Sequence, residues 1–193
     1  MNILSAITGG LRSPDRIRHN GKRLSDILAA HAKFVRGDES GVRADLAGAD
    51  LSRADLHKMN LAYVNLQGAN LTRANLRDAK LASVDFGKAK LHRADLRKAD
   101  LTEANLSGAD LSEAQVGGAE LFRADLRHAN LRRANFGATN FRQAEIGGAN
   151  FEGAILQTTI LRETNLDGVD LSGVDLTTTL LPPGYKRSGA ASG

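Results

Sequence analysis

A chain of 193 residues suits one domain, yet aromatic residues are only 4% and Trp is absent, which argues against an ordinary globular core. The formal net charge is +4, and with no Cys there is no disulfide framework, thiolate nucleophile or cysteine-held metal. No apolar run reaches the roughly 18 residues of a membrane span, and Met1 to Leu11 lacks the basic start and cleavage site of a signal peptide, so a cytoplasmic location is expected.

Residues 1–22 contain Gly9-Gly10, Ser13-Pro14 and Asn20-Gly21, all chain breakers. They read as a flexible basic segment, with a short helical piece from Asn2 to Thr8. Residues 23–41 change character. Leu24, Ile27, Leu28, His31, Phe34 and Val35 recur at helical spacing, with Ser25 as the expected N-cap and Gly37 just past the end. This amphipathic helix is expected to cap a neighbouring apolar end, or else to dock a partner.

From 42 to 183 a period of five takes over. An apolar residue occupies every fifth position from Leu46 to Leu181, 28 sites without a slip, of which 22 are Leu. The others are Phe86, Val116, Phe136, Phe141, Ile146 and Phe151. Two residues earlier stands Ala at 19 of the 28 sites, and between them usually lies Asp or Asn. Five matches neither the strand period nor the helix period, so either element would leave many of these side chains in water. A coil that turns a corner every five residues puts all of them inside, and four corners make a turn of 20 residues. Asp or Asn beside each corner is placed to bond neighbouring backbone amides.

Units such as Ala49-Asp50-Leu51-Ser52-Arg53 resemble the pentapeptide repeat family over about three-quarters of the chain. The resemblance implies an all-β solenoid: a right-handed quadrilateral β-helix of about seven coils, here with a short N-terminal α-helical cap. It implies that the central residue and the small residue two before it point inward. Residues 184–193 read as a flexible tail.

The charge is not spread evenly: +3 over residues 1–41, −1 over 42–183 and +2 in the tail, from Lys186 and Arg187. A period of 20 sorts the outward residues into columns. One reads Arg53, Arg73, Arg93, Glu113, Arg133, Gly153, Gly173. Round the corner lie His57, Arg77 and Arg97, flanked by Lys58, Asp78 and Lys98. Together they form a basic ridge, either a site for an anionic partner or a solvated surface offset by Asp50, Asp55 and Asp95. Another column, Gly48, Gly68, Lys88, Gly108, His128, Gly148, Gly168, suggests easier turning at that corner or a flat contact face. Towards the C-terminus the pattern decays: Ile155, Ile160 and Leu180 enter the Asp/Asn slot, and Thr139, Thr159 and Thr179 enter the small slot. With Leu181 and Tyr185, these apolar residues point to a self-contact, a C-terminal homodimer, or to cover by the tail.

His57, His92 and His128 fall in different columns, so no metal cluster follows, and nucleophile-elbow, zincin and phosphate-loop motifs are absent. A non-catalytic bacterial protein without cofactors is expected, acting as a rigid scaffold for another protein. The quinolone-resistance members of the resembled family, rods similar to duplex DNA that bind type II topoisomerases, supply an alternative. The cluster Arg12, Arg16, Arg18, Lys22 and Arg23 supplies another: binding to nucleic acid or an anionic membrane surface.

Overall fold

The structure, a computed structural model, describes residues 10–185. The expected helical piece at Asn2 to Thr8, the tail beyond Tyr185, and Lys186 and Arg187 lie outside the described residues.

Residues 44 to 180 form a solenoid in which each residue of the Asp/Asn slot bridges, in parallel, the residue 20 further on, from Asp45↔Asn65 to Asn140↔Ile160. Each coil therefore has four sides. We number them one to four, after their first central residues Leu46, Leu51, Leu56 and Leu61. The central residues and the Ala residues two before them line a continuous buried interior. Each buried Leu or Phe contributes about 1.5–3 kcal/mol.

One repeat shows why the sequence takes this form. Asn105 N–H donates to the Val84 carbonyl one coil back, and Leu106 and Gly108 N–H donate to Asp125 and Arg127 carbonyls one coil on. Ala109 N–H closes the corner on the Leu106 carbonyl. The remaining donor, Ser107 N–H, reaches the Asn105 side-chain oxygen at 3.0 Å. All five backbone donors are satisfied, the last only because the slot holds Asp or Asn. The same side chains also pair between coils, as where Asn75 Nδ2 donates to Asp55 Oδ1 at 2.9 Å.

The second residue after each central residue is left-handed along nearly the whole solenoid, whether it is Gly108 (φ 64), Arg73 (φ 58) or Tyr63 (φ 68). A non-glycine there costs about 1–2 kcal/mol, which burial of the central side chain offsets. Gly48, Gly68, Gly148 and Gly168 share this position with Lys88 and His128, so their column is a turning corner.

The N-terminal end departs from expectation. Residues 10–22, expected to be flexible, are built onto the first coil. Arg12 bridges Ala54, exchanging backbone bonds with Arg53 and Asp55, in the place a preceding coil would occupy. Ser13-Pro14 opens a 3-10 turn at Pro14–Arg16, and Ile17, 1% exposed, enters the core. Asn20 and Gly21, both left-handed, join β1 (Arg18–His19) to β2 (Lys22–Arg23) in an antiparallel hairpin. Helix α1 spans Leu24–Val35, starting two residues earlier than an N-cap at Ser25 suggests, with Arg23 at the N-cap and no side-chain cap. Gly37 (φ 80) ends it as expected: Gly37 N–H bonds the Phe34 carbonyl and Asp38 N–H the Lys33 carbonyl. Leu24 is buried, Ile27 and Leu28 pack on the core, and the Ala44 N–H donates to His31 Nδ1 at 3.2 Å.

The last coil is held differently. Among the described residues its fourth side keeps a bridge, Ile160↔Leu180, while Asn165 and Asp170 have none. Its four small slots all carry β-branched residues: Thr164, Val169, Val174 and Thr179. One and two coils earlier, Phe151 and then Phe136 and Phe141 pack ring to ring in the interior, with centroids 5.1 Å apart for the last two.

Candidate interaction surface

The basic ridge is present as a surface. Arg53, Arg73, Arg93 and Arg133 occupy the left-handed corner position of side two, and Lys58, Asp78 and Lys98 that of side three. Sequence spacing alone did not show how much of it is neutralised. Arg93 Nε donates to Glu113 Oε2 at 2.7 Å. Arg97 grips Asp95 through Nε at 2.8 Å and a terminal nitrogen at 2.5 Å. Arg77 lies 3.4 Å from Asp78, and His57 Nδ1 2.8 Å from Asp55. Arg53, Arg73, Arg133, Lys58 and Lys98 have no ion pair or side-chain hydrogen bond among the described residues. The ridge thus resolves into paired arginines and these five free cations.

The pairing registers in the acids. Burial by itself would raise the Asp95 carboxyl, but hydrogen bonds from the Arg97 side chain and backbone, with Arg97 and Arg77 charge, hold its pKa below the usual carboxylate range. The Ser52 hydroxyl, against opposing burial, lowers Asp50, with help from Ser52 N–H and Arg12. Arg12 Nη1 donates to Asp50 Oδ2 at 3.2 Å and to the Ser52 carbonyl at 3.2 Å. Arg12 is therefore part of the N-terminal seal, which its place in a basic cluster concealed.

Similar pairing covers the C-terminal half, with Arg132 on Glu152, Arg142 on Glu163 and Arg127 on Asp125. Among the described residues no group of His, Asp and Glu side chains is arranged to hold a metal ion.

The C-terminal apolar group splits in two. Leu181 and Tyr185 fold back against the end of the core, whereas Ile155 and Leu180 stay 44% and 43% exposed. Ile160 and Leu180 do share one side, one coil apart. The Thr column has a use beyond size: Thr139, Thr159 and Thr179 donate their hydroxyls to the Val116, Phe136 and Leu156 carbonyls of the preceding coil. Two outward aromatics escaped the sequence reading because they break no pattern: Tyr63, half exposed, and Phe122, with the Arg123 guanidinium 4.9 Å from its ring centre.

Among solved structures, the chain is similar to the pentapeptide repeat protein Rfr23 of the cyanobacterium Cyanothece 51142. Identity is 29% over 52% of this chain and 63% of that one, less than two thirds of its length, with a TM-score of 0.31. A trypsin-treated form of QnrB1, a plasmid-mediated fluoroquinolone resistance protein, is 18% identical over 73% of this chain and 78% of that one, with a TM-score of 0.36. HetL of Nostoc sp. strain PCC 7120, a pentapeptide repeat protein involved in heterocyst differentiation regulation, is 28% identical over 74% and 86%, with a TM-score of 0.24. No curated protein matches the chain. The family model for pentapeptide repeats matches residues 42–78, 79–115, 119–157 and 147–181, with 8 copies. With the five-residue frame unbroken through the core, the chain belongs to the pentapeptide repeat family and is a right-handed β-helix solenoid.

Proposed function

We propose that this protein is a non-catalytic scaffold that binds another protein through the outside of its solenoid, with α1 and residues 10–23 serving as the N-terminal cap. The observation that carries the reading is the set of free cations on adjoining corners, Arg53, Arg73, Arg133, Lys58 and Lys98, held on a rigid frame. Charges spaced regularly on a rigid backbone favour an acidic partner, because the frame that positions them need not be ordered on binding. Affinity capture from the native cytoplasm tests it. Arg53, Arg73 and Arg133 changed together to Glu should abolish recovery of the partner at unchanged melting temperature; equal recovery would refute the ridge as the site.

The cytoplasm is part of this proposal and is checked by fractionation; no helix among the described residues is long and apolar enough to cross a membrane. The exposed Ile155 and Leu180, beside Ile160, form a second proposed contact, for a C-terminal homodimer.

The same free cations weigh on the topoisomerase alternative. A duplex-DNA mimic needs a strongly negative surface, whereas residues 42–183 sum to −1 and the ridge is basic. DNA gyrase supercoiling should therefore be neither inhibited by this protein nor protected from a quinolone; either effect would reverse the preference. Binding of nucleic acid or anionic lipid by the ridge and the N-terminal basic residues would show as salt-dependent association.

A further inference from the structure

Side four differs from the other three in what it exposes. Its first outward column reads Val42, Ala62, Ala82, Thr102, Phe122, and the corner column beside it Arg43, Tyr63, Ser83, Glu103, Arg123. On the other flank run Asn60, Lys80, Asp100 and Glu120, linked coil to coil by bridges. Val42 is 63% and Tyr63 50% exposed, and Phe122 is partly so. Between the two aromatics the face drops to Ala82 and Thr102. Lys80 has no ion pair among the described residues, although Asp100 is its bridge partner one coil away.

From this we propose that side four is a self-complementary face on which a second copy of the chain docks antiparallel, its two-fold axis crossing the rod between the coils of Ala82 and Thr102. Such an axis keeps each column opposite its own column and reverses the order along the rod. Lys80 then faces Asp100 of the second copy, and Asp100 faces its Lys80. Phe122 meets the flat stretch of the coil where Ala62 is buried, and Tyr63 meets Arg123, whose guanidinium already covers Phe122 and donates to Gln143, a cation–π pairing made twice. Ser83 meets Glu103, a hydroxyl opposite a carboxylate. No like charges meet.

Neighbouring registers lose this match. Moving the axis half a coil towards the C-terminus sets Asp100 against Asp100 and Glu103 against Glu103, alongside two contacts between Lys80 and Glu120. Moving it half a coil the other way sets Lys80 against Lys80. Like charges directly opposed disfavour both, and of the three registers the proposed one alone has none. The contact spans four coils, about 19 Å of rod at ~4.8 Å per coil. On one side of a narrow rod this buries roughly 800 Å², the size of a weak, transient interface, so a dimer that dissociates in the micromolar range is expected.

Sedimentation velocity across the micromolar range tests this with the full chain. Lys80→Glu should weaken the dimer by about tenfold, since it turns two attractive contacts into repulsive ones. Asp100→Lys should do the same, and the double variant should restore association. Both changes suit the fold, because the same slot already carries Lys90 and Glu145. Tyr63→Ser should also weaken the dimer, while Leu180→Asp should leave it intact. A wild-type chain that stays monomeric, a dimer indifferent to Lys80→Glu, a double variant that fails to recover, or a dimer dissolved by Leu180→Asp would each overturn the proposal. The last result would point instead to the C-terminal contact.

Discussion

The two ends of this solenoid solve the same problem unequally. At the N-terminal end, residues 10–35 provide both apolar cover and backbone partners: Ile17 and Leu24 fill the core, and Arg12 pairs with Arg53 and Asp55. At the C-terminal end, Leu181 and Tyr185 provide cover, but the last coil keeps one bridged side among the described residues. Leu166 and Leu176 are 8% and 9% exposed there, against 0% for Leu106 and Leu126 in the middle. An open β-edge needs hydrogen-bond partners as well as an apolar lid, and among the described residues the C-terminal coil shows fewer bridges and a more exposed interior than the N-terminal one.

The largest test of this contrast is an insertion. One extra residue after Gly108 should push every later central residue out of the interior, because the frame is fixed at five residues per side. Most of the cooperative melting should disappear, and limited proteolysis should spare only an N-terminal fragment. The same insertion after Gly168 disturbs a coil that is already weakly bridged and should leave most of the transition in place. Equal damage from the two would mean that the ends are not energetically distinct.

A smaller effect compares single side chains. Ile17→Ala removes a fully buried group where the seal is tightly bonded, and should cost about 2–4 kcal/mol by denaturant unfolding. Leu176, 9% exposed, is less completely buried, and Leu176→Ala should cost about 1–2 kcal/mol. The reverse order would contradict the picture of a firm N-terminal and a soft C-terminal end.

The interior was legible in the sequence because every repeat reports it. Leu46 to Leu181 keep the frame, and the entry of Ile155, Ile160 and Leu180 into a polar slot marked the apolar C-terminal surface. The seal was not legible. Arg12 pairs with Ala54 across 42 positions with no periodic trace, and Ser13-Pro14 and Asn20-Gly21, breakers in isolation, each form a defined turn. The ridge was legible as columns but not as chemistry. Period 20 places both Arg93 and Arg133 one coil from Glu113, but it does not say that Arg93 will hold it, since that depends on side-chain reach.

The smallest predicted effect concerns His31, buried where α1 meets the first coil. The Ala44 N–H donates to Nδ1, so the neutral ring carries its proton on Nε2, which is buried without a hydrogen-bond partner. Burial holds the pKa below its ordinary 6.5; the nearby Ala62 carbonyl pulls it upward, and Arg43 presses it down. Protonation would set an Nδ1 donor against the Ala44 N–H donor and charge a ring in an apolar setting. The unfolded chain binds that proton more readily than the folded one. The contribution to stability is therefore complete above about pH 6.5 and is lost as the pH falls below it. His31→Gln keeps an acceptor for Ala44 and removes the titration. The drop in melting temperature between about pH 7.5 and about pH 5 should be smaller in His31→Gln than in the wild type, by a few degrees at most. The same substitution should suppress acid-induced proteolysis between α1 and the first coil. If both proteins respond alike, the N-terminal seal owes nothing to the neutral imidazole, and its firmness rests on Ile17, Leu24 and Arg12 alone.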